Sequence, residues 1–411
     1  MSTELLYDWN IVGKTLPIFA NPIELCDETL RDGIQSPSVC DPTIDAKLRM
    51  VDCMEAIGIT IADIGLPGAG ERAVQDVTRI AKHVRDKRMK LRVNCAARTI
   101  IHDIEPIVRI QHDVGIPVVA YCFLGTSPIR QYVEDWSADM LLKTCDEAIS
   151  FAIREGLETA FVTEDTIRSA PEILEKLFRH VISLGCRRLV LCDTVGHATP
   201  DGARNLVWWT RGLIKSTGED VKIDWHGHND RGLAVSNSIF AAEAGADRLH
   251  GTCLGLGERV GNASLDQLIV NLKLLDAYPH DVSRLFDYVK LTAEACKVGL
   301  PYNYPAFGMD AFRTATGVHA SAVIKAAKKG DQLLADTVYS GVPANWFGRQ
   351  QEIEIGPMSG LSNVRHWLHV HGYEADEKLV HAILEYAKTS DHVLSGTEVS
   401  KVIGDRMQTG G

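Results

Sequence analysis

Two histidines one residue apart, His226 and His228, stand in Trp225-His226-Gly227-His228-Asn229-Asp230-Arg231-Gly232, directly after a β-like run over 221–225. Side chains alternate across a strand, so positions 226 and 228 face the same side. Two imidazoles on one face make two corners of a divalent-metal site; the alternative is a pair of hydrogen-bonded core or turn histidines. A metal also needs an anionic ligand from elsewhere in the chain. The best third ligand is Asp32, in Asp27-Glu28-Thr29-Leu30-Arg31-Asp32-Gly33-Ile34-Gln35. Two nitrogens and one carboxylate with open positions suit Mg2+, Mn2+, Zn2+ or Fe2+, and the residues alone do not choose. Arg31, next to Asp32, would carry a permanent positive fork into the same space, where it could stabilise an enolate or alkoxide. Its alternative is a local ion pair at a turn. Asn262 and Glu164 are supporting candidates, with a cap or turn role as the competing reading.

Bringing Asp32 to the histidines requires a scaffold, and the spacing of short β-like runs supplies one. Such runs occur at 23–26, 59–64, 91–95, 118–123, 159–162, 188–192, 221–225 and 248–253, separated by amphipathic segments of helical length. Eight strand-helix units in succession predict a (β/α)8 TIM barrel, in which strand 1 closes beside strands 7 and 8. No Gly-x-Gly-x-x-Gly follows the first strand, which weakens a dinucleotide-binding alternative. The polar clusters Arg31-Asp32, Glu164-Asp165, Asp193-Thr194, the His pair and Gly257-Glu258-Arg259-Val260-Gly261-Asn262 all fall at C-terminal strand ends. That is the face on which barrel enzymes build their sites. Domains are expected at 1–20 (an arm), 21–290 (the barrel) and 291–411, a smaller, mostly helical C-terminal region. Within the last, 315–323 reads as linker-like, and three short helices are expected from about Leu361.

Composition narrows the partners. Hydrophobic residues make up 45% and charged residues 24% of the 411, the proportions of a globular protein. A net charge of −11 argues against a nucleic-acid surface. No run is long and apolar enough for a membrane span, and the first residues lack a signal-peptide core. Ten cysteines with no Cys-x-x-Cys pair suggest reduced thiols and a cytoplasmic location.

Taken together, Asp27-x-Thr29-Leu30-Arg31-Asp32-Gly33-x-Gln35, Glu164-Asp165, Asp193-Thr194-Val195-Gly196, His226-x-His228-Asn229-Asp230-x-Gly232 and Gly257-Glu258-Arg259-x-Gly261-Asn262 resemble the 2-isopropylmalate synthase and homocitrate synthase family. The motifs run in the family's order from about residue 24 to 265. The resemblance implies a metal-dependent Claisen condensation of acetyl-CoA with a 2-oxo acid, followed by thioester hydrolysis, in a homodimer. It assigns the divalent metal (Mg2+, Mn2+ or Zn2+) to Asp32, His226 and His228, with Asn262 near it. Arg31 would stabilise the oxyanion, Glu164 support the site, and Gln35 and Thr194 contact the 2-oxo acid. Thr316-Gly317-Val318-His319 is similar to the family's Ser-Gly-Ile-His. His319 is thereby the candidate acid/base for the acetyl methyl, with Tyr339, serving its own barrel or a neighbouring subunit's. The residues after it, Ala320-Ser321-Ala322, depart from the family pattern, as does Gly356-Pro357-Met358-Ser359-Gly360. With 411 residues, no room is expected for the regulatory domain of leucine-inhibited synthases.

The 2-oxo acid is expected from strand 5. In homocitrate synthases an Arg four residues before the Glu of the Glu-Asp pair meets the distal carboxylate of 2-oxoglutarate; here that position is Ala160. A buried distal carboxylate without a partner costs several kcal/mol. Arg231 is a substitute cation only if it turns inward; facing solvent or the CoA phosphates is the favoured reading. The expectation is 2-oxoisovalerate first, pyruvate or 2-oxobutyrate next, 2-oxoglutarate last. The rivals are a hydroxymethylglutaryl-CoA-lyase-like carbon-carbon lyase and a catalytically silent metabolite-binding barrel.

Overall fold

A computed structural model describes residues 5–14, 18–19 and 22–409. Of the arm expected over 1–20, residues 1–4, 15–17 and 20 lie outside the described residues, as do 21, 410 and 411; Trp9–Ile11 form a single 3-10 turn. Eight parallel strands close into one barrel in sequence order. They are β1 (Glu24–Asp27), β2 (Ile61–Asp63), β3 (Arg92–Arg98), β4 (Val118–Gly125), β5 (Thr159–Glu164), β6 (Arg188–Asp193), β7 (Lys222–Gly227) and β8 (Arg248–Gly251). The barrel shuts where β1 pairs with β8, in the register Cys26↔His250 and Asp27↔Gly251.

The intervening helices are α1 (Ile44–Ala56), α2 (Glu71–Asp86), α3 (Ile101–Val114), α4 (Pro128–Glu134), α5 (Ala138–Arg154), α6 (Pro171–Ser183), α7 (Pro200–Thr217), α8 (Ala234–Glu243), α9 (Leu265–Leu274) and α10 (Leu285–Cys296). Their starts are written in the sequence. The side chains of Thr43, Ser137 and Thr199 accept the Ala46, Met140 and Gly202 amides at the first turns of α1, α5 and α7. Pro200 at the first position of α7 adds a preset φ. The Thr43 and Thr199 caps end the loops that follow β1 and β6.

Alternation along each strand decides what fills the barrel. Trp225 on β7 is fully buried on the outward side, while its neighbours Asp224 and His226 make their contacts inside. At the base, Asp224 meets Arg188 and Arg248, and Arg248 also reaches Glu24. Burial pulls the Asp224 carboxyl up, but the two guanidinium groups outweigh it and hold it well below the usual carboxylate range. Above lies an apolar layer of Cys26, Ile61, Val119, Tyr121, Ala160, Val190 and Cys192. The top layer is polar and surrounds a cavity.

Two compact units divide the chain, one spanning 11–299 and the other the described residues among 1–10 and 300–411. The division therefore falls after α10, whose Tyr288 donates to Asp27 at the end of β1. In the second unit, β9 (Arg313–Thr314) pairs parallel with β10 (Glu352–Ile353). The stretch read as linker-like contains a helix, α11 (Gly317–Ala327), followed by α12 (Gln332–Thr337). Its four alanines favour helix, and Ala320, Val323 and Ala326 are buried at helical spacing, a pattern overshadowed by the motif it carries. From Leu361 come α13 (Leu361–Val370), α14 (Glu377–Thr389) and α15 (Gly396–Thr409) around Val364, Leu368, Val380, Ile383 and Val399. Among the described residues no helix is long and apolar enough to cross a membrane.

Candidate metal centre and active site

His226 lies near the end of β7, and His228 just beyond it, where its amide donates to the Asp193 carbonyl and its backbone bridges to Asn262. Asp32 comes from the turn after β1, which is closed by the Arg31 and Gly33 amides donating to the Glu28 carbonyl. The strand-end geometry brings the three together: Asp32 Oδ2 is 3.5 Å from His226 Nε2 and 3.7 Å from His228 Nε2. All three side chains are buried, with their ligand atoms within 4.8 Å of one another.

The donor chemistry fits a divalent cation. His226 Nδ1 donates to Glu28 Oε2 at 2.6 Å, a carboxylate that can only accept, and Nε2 is the nitrogen that faces Asp32. Burial, with His226 adding to it, pulls His228 down to about 4, so this imidazole is neutral near pH 7. Asn262 Nδ2 donates to the Leu256 carbonyl, whereas its Oδ1 is buried with no hydrogen-bond partner. Two imidazoles and a carboxylate are a set that a hard or borderline cation satisfies, and the orphaned amide oxygen belongs to the residue bridged to His228. Gly261 shapes the loop before Asn262; its φ is +87°, and a Cβ there would meet the Gly255 carbonyl oxygen at 1.8 Å.

Arg31 is held rather than free. Its Nε donates to Asp63 Oδ2 (2.9 Å), one terminal nitrogen to Glu28 Oε1 (2.8 Å), and the other lies 3.5 Å from Asp32 Oδ2. Burial pushes the Asp63 carboxyl up to about 6 despite Arg31. Glu28 also accepts from His250 Nδ1 (3.1 Å), and His250 Nε2 donates to Asp224 Oδ2 (3.0 Å). Burial pulls His250 down, but the carboxylates of Glu28 and Asp224 overcome it and hold it at about 9, so it is an imidazolium. Asp63 and His250 escaped the sequence reading because they lie within apolar runs, and Glu28 because it stands in a motif read for Arg31 and Asp32. Strand alternation was the available signal: 24, 26 and 28 face one way, as do 248 and 250.

A cavity of about 330 Å3 opens above these groups, lined by Arg31, Asp32, Gln35, Glu164, Thr194, His226 and His228 and by the apolar side chains of Leu66, Phe123, Val162 and Val190. Burial raises the Glu164 carboxyl above its ordinary value, with Arg130 opposing. Thr194 Oγ1 accepts the Asp165 amide (2.8 Å), which ties the ends of β5 and β6 together. Ala160 is not in the lining but in the apolar layer below; two residues on, the same strand face presents Val162 to the cavity. On this strand the lining thus begins one alternation above Ala160. Arg231 is exposed and donates to the His197 carbonyl (2.8 Å), outside the lining. His319 and Tyr339 lie in the other unit, where their rings stack at 4.1 Å between centroids and both are exposed.

Comparison with known proteins agrees with this architecture. Residues 22–293 match the sequence model of the HMGL-like family. The chain is 28% identical over 381 residues to 2-isopropylmalate synthase of Sulfolobus acidocaldarius, covering 92% of this chain and 93% of that protein. It is 30% identical over 370 residues to a probable 2-isopropylmalate synthase of Methanopyrus kandleri, covering 89% of this chain and 69% of the relative. With homocitrate synthase of Methanothermobacter thermautotrophicus it shares 29% over 396 residues, 95% of this chain and 93% of the other. Among solved structures, the HMG-CoA lyase of Bacillus subtilis aligns with a TM-score of 0.57 at 19% identity, over 69% of this chain and 96% of that one, a likeness of fold. With a closed eight-stranded barrel, the motifs at its strand ends and a match over most of its length, this chain belongs to the HMGL-like family of enzymes.

Proposed function

We propose that the protein is an acyltransferase that condenses acetyl-CoA with a small aliphatic 2-oxo acid, 2-oxoisovalerate first, and hydrolyses the thioester to release CoA. The observation that carries this reading is the cavity itself, whose lining combines Arg31 and the Asp32/His226/His228 set with the apolar side chains of Leu66, Phe123, Val162 and Val190. The cationic or basic side chains in the lining are Arg31 and three histidines, and Arg31 is already paired with Glu28 and Asp63. A distal carboxylate such as that of 2-oxoglutarate would therefore be buried without a counter-charge, at a cost of several kcal/mol. The names of the relatives support the reaction class, and they span both kinds of 2-oxo acid.

Asp32, His226 and His228 would hold the divalent metal, with Asn262 Oδ1 beside them. When bound, the cation supplies Lewis-acid polarisation of the 2-oxo acid's carbonyl. Arg31, fixed by two carboxylates, meets the negative charge that develops on that oxygen as the new carbon-carbon bond forms. Thr194 and Gln35 orient the 2-oxo acid, and the apolar lining residues exclude water from its side chain. His319, with Tyr339 stacked on it, takes the proton from the acetyl methyl, and Glu164 supports proton movement in the cavity. Water then cleaves the thioester, giving the hydroxy diacid and free thiol. We further propose a cytoplasmic homodimer, in keeping with ten free cysteines of which nine are buried.

The test is release of free thiol from acetyl-CoA with a panel of 2-oxo acids. kcat/KM should fall in the order 2-oxoisovalerate, then pyruvate or 2-oxobutyrate, then 2-oxoglutarate. A preference for 2-oxoglutarate would overturn the substrate and bring Arg231 back as its partner. No thiol release with any of them would overturn the reaction.

A further inference from the structure

Glu28 is 2% exposed and makes three charge-assisted contacts at once, none required by a ligand role of its own. One oxygen accepts from His226 Nδ1 at 2.6 Å; the other accepts from an Arg31 terminal nitrogen at 2.8 Å and from His250 Nδ1 at 3.1 Å. We infer that Glu28 is the positioning residue of the metal centre, fixing the tautomer and ring orientation of His226 and the fork of Arg31 through one carboxylate. The inference rests on the proposed metal site and deepens it.

The geometry separates Glu28 from the ligands. It lies against Nδ1, the side of the imidazole away from Nε2, and Nε2 is the atom that faces Asp32. The carboxylate therefore cannot join Asp32 without releasing His226. It is also anchored from below: His250 is gripped between Glu28 and Asp224, and Asp224 is gripped by Arg188 and Arg248. Cys26, Glu28 and His250 form a second cluster with ligand-type atoms, but both nitrogens of His250 are already engaged by carboxylates. This cluster is a support, not a second ion site.

A carboxylate is the one side chain that satisfies all three neighbours, because each of them is a donor. Glutamine is nearly isosteric but brings an NH2 group. With its oxygen toward His226, the amide nitrogen confronts the donors of Arg31 and His250. With its nitrogen toward His226, Nδ1 must accept, the ring proton moves to Nε2, and the atom aimed at the cation can no longer bind it. Either arrangement weakens the site, although the side-chain volume is unchanged.

The experiment measures Mn2+ and Zn2+ binding to metal-stripped protein by calorimetry, with neither acetyl-CoA nor 2-oxo acid present. Glu28→Gln should weaken binding about 10- to 100-fold while its circular dichroism stays that of the wild type. A second measurement needs no variant. In metal-stripped wild-type protein with 15N-labelled histidine, His226, assigned by loss of its signals in His226→Gln, should show a protonated Nδ1. Binding in Glu28→Gln within twofold of wild type would overturn the inference, as would a His226 with a bare Nδ1. If Glu28→Gln does not fold, the tautomer measurement decides alone. Wild-type protein that binds neither metal would overturn the metal site together with this inference. Tight binding and a weakened variant, with no thiol released from acetyl-CoA, would leave the inference standing and remove the proposed reaction.

Discussion

Asp27→Asn isolates the cost of a single buried charge at the root of the site. Asp27 ends β1, is fully buried, and accepts from the Thr29 amide (2.8 Å) and from Tyr288 on α10 (2.6 Å). Burial pushes its carboxyl up to about 6, with the Thr29 and Tyr288 hydrogen bonds opposing. An unfolded aspartate titrates near 3.9, so full ionisation in the fold costs about 3 kcal/mol. The sign follows from linkage. The folded state holds the proton to higher pH than the unfolded chain, so this group's contribution is fully present below about pH 4 and is lost as pH rises through about 6. Between pH 5 and pH 8 roughly 1 to 2 kcal/mol of that loss remains to be seen. Asparagine removes the charge but keeps an acceptor for Thr29; its NH2 can donate to the Tyr288 oxygen, whose own proton turns to Thr29 Oγ1, 3.2 Å away. Guanidinium unfolding of both proteins at pH 5 and pH 8 is the assay. The stability difference, Asn variant minus wild type, should rise by roughly 1 to 2 kcal/mol from the lower to the higher pH. A difference that is equal at the two pH values would refute the reasoning, since it would mean Asp27 titrates alike in both states.

His226→Ala and His228→Ala should each lose most bound metal while the fold persists, because the ligand set is emptied without touching the core; full occupancy in both, by elemental analysis, would remove the site. His319→Ala should lower turnover about 10²-fold or more with little change in 2-oxo acid binding, and unchanged turnover would transfer the proton to Glu164 or Tyr339. Mixing inactive His319→Ala with inactive Asp32→Asn subunits should restore activity if the histidine serves a partner's barrel, and not if it serves its own. Gly261→Ala places a methyl against the Gly255 carbonyl oxygen in a left-handed backbone; it should cost about 1–3 kcal/mol and weaken metal binding by displacing Asn262, which denaturation and calorimetry would check.

The barrel was legible because its signal is repeated. Each of the eight β-like runs overlaps an observed strand, and the polar clusters fall where the strands end. Asp32, His226 and His228 were legible for the same reason, as residues whose types and strand-end positions agree. Less was legible where one residue carries two signals. Glu28 stands in a motif noted for Arg31 and Asp32, and His250 sits in a run counted as strand, so their mutual contact, a matter of β1–β8 register, was not visible. That Ala160 lies one alternation below the lining was not legible, since nothing local in sequence fixes the height at which a barrel interior stops being core and becomes cavity. The 317–327 helix was obscured by reading its first residues as a motif on a linker.

The candidate ligands straddle the place where the barrel shuts. Asp32 follows β1 and the histidines ride on β7, with β8 between them, so the earliest and nearly the latest parts of the barrel meet at one point. During synthesis the carboxylate emerges almost 200 residues before its imidazole partners. The site cannot exist until the last strand has docked against the first. A cation held there would bind the closed cylinder and not an open, half-built sheet, and would act as a clasp across its seam. Such selective binding favours the closed form by mass action, in proportion to the logarithm of the ratio of free metal to its dissociation constant. Stripping the metal would then be felt first as easier parting of β1 from β8, and measured as faster hydrogen exchange of the Glu24 and Glu28 amides, which donate to the Asp247 and Gly251 carbonyls across that seam.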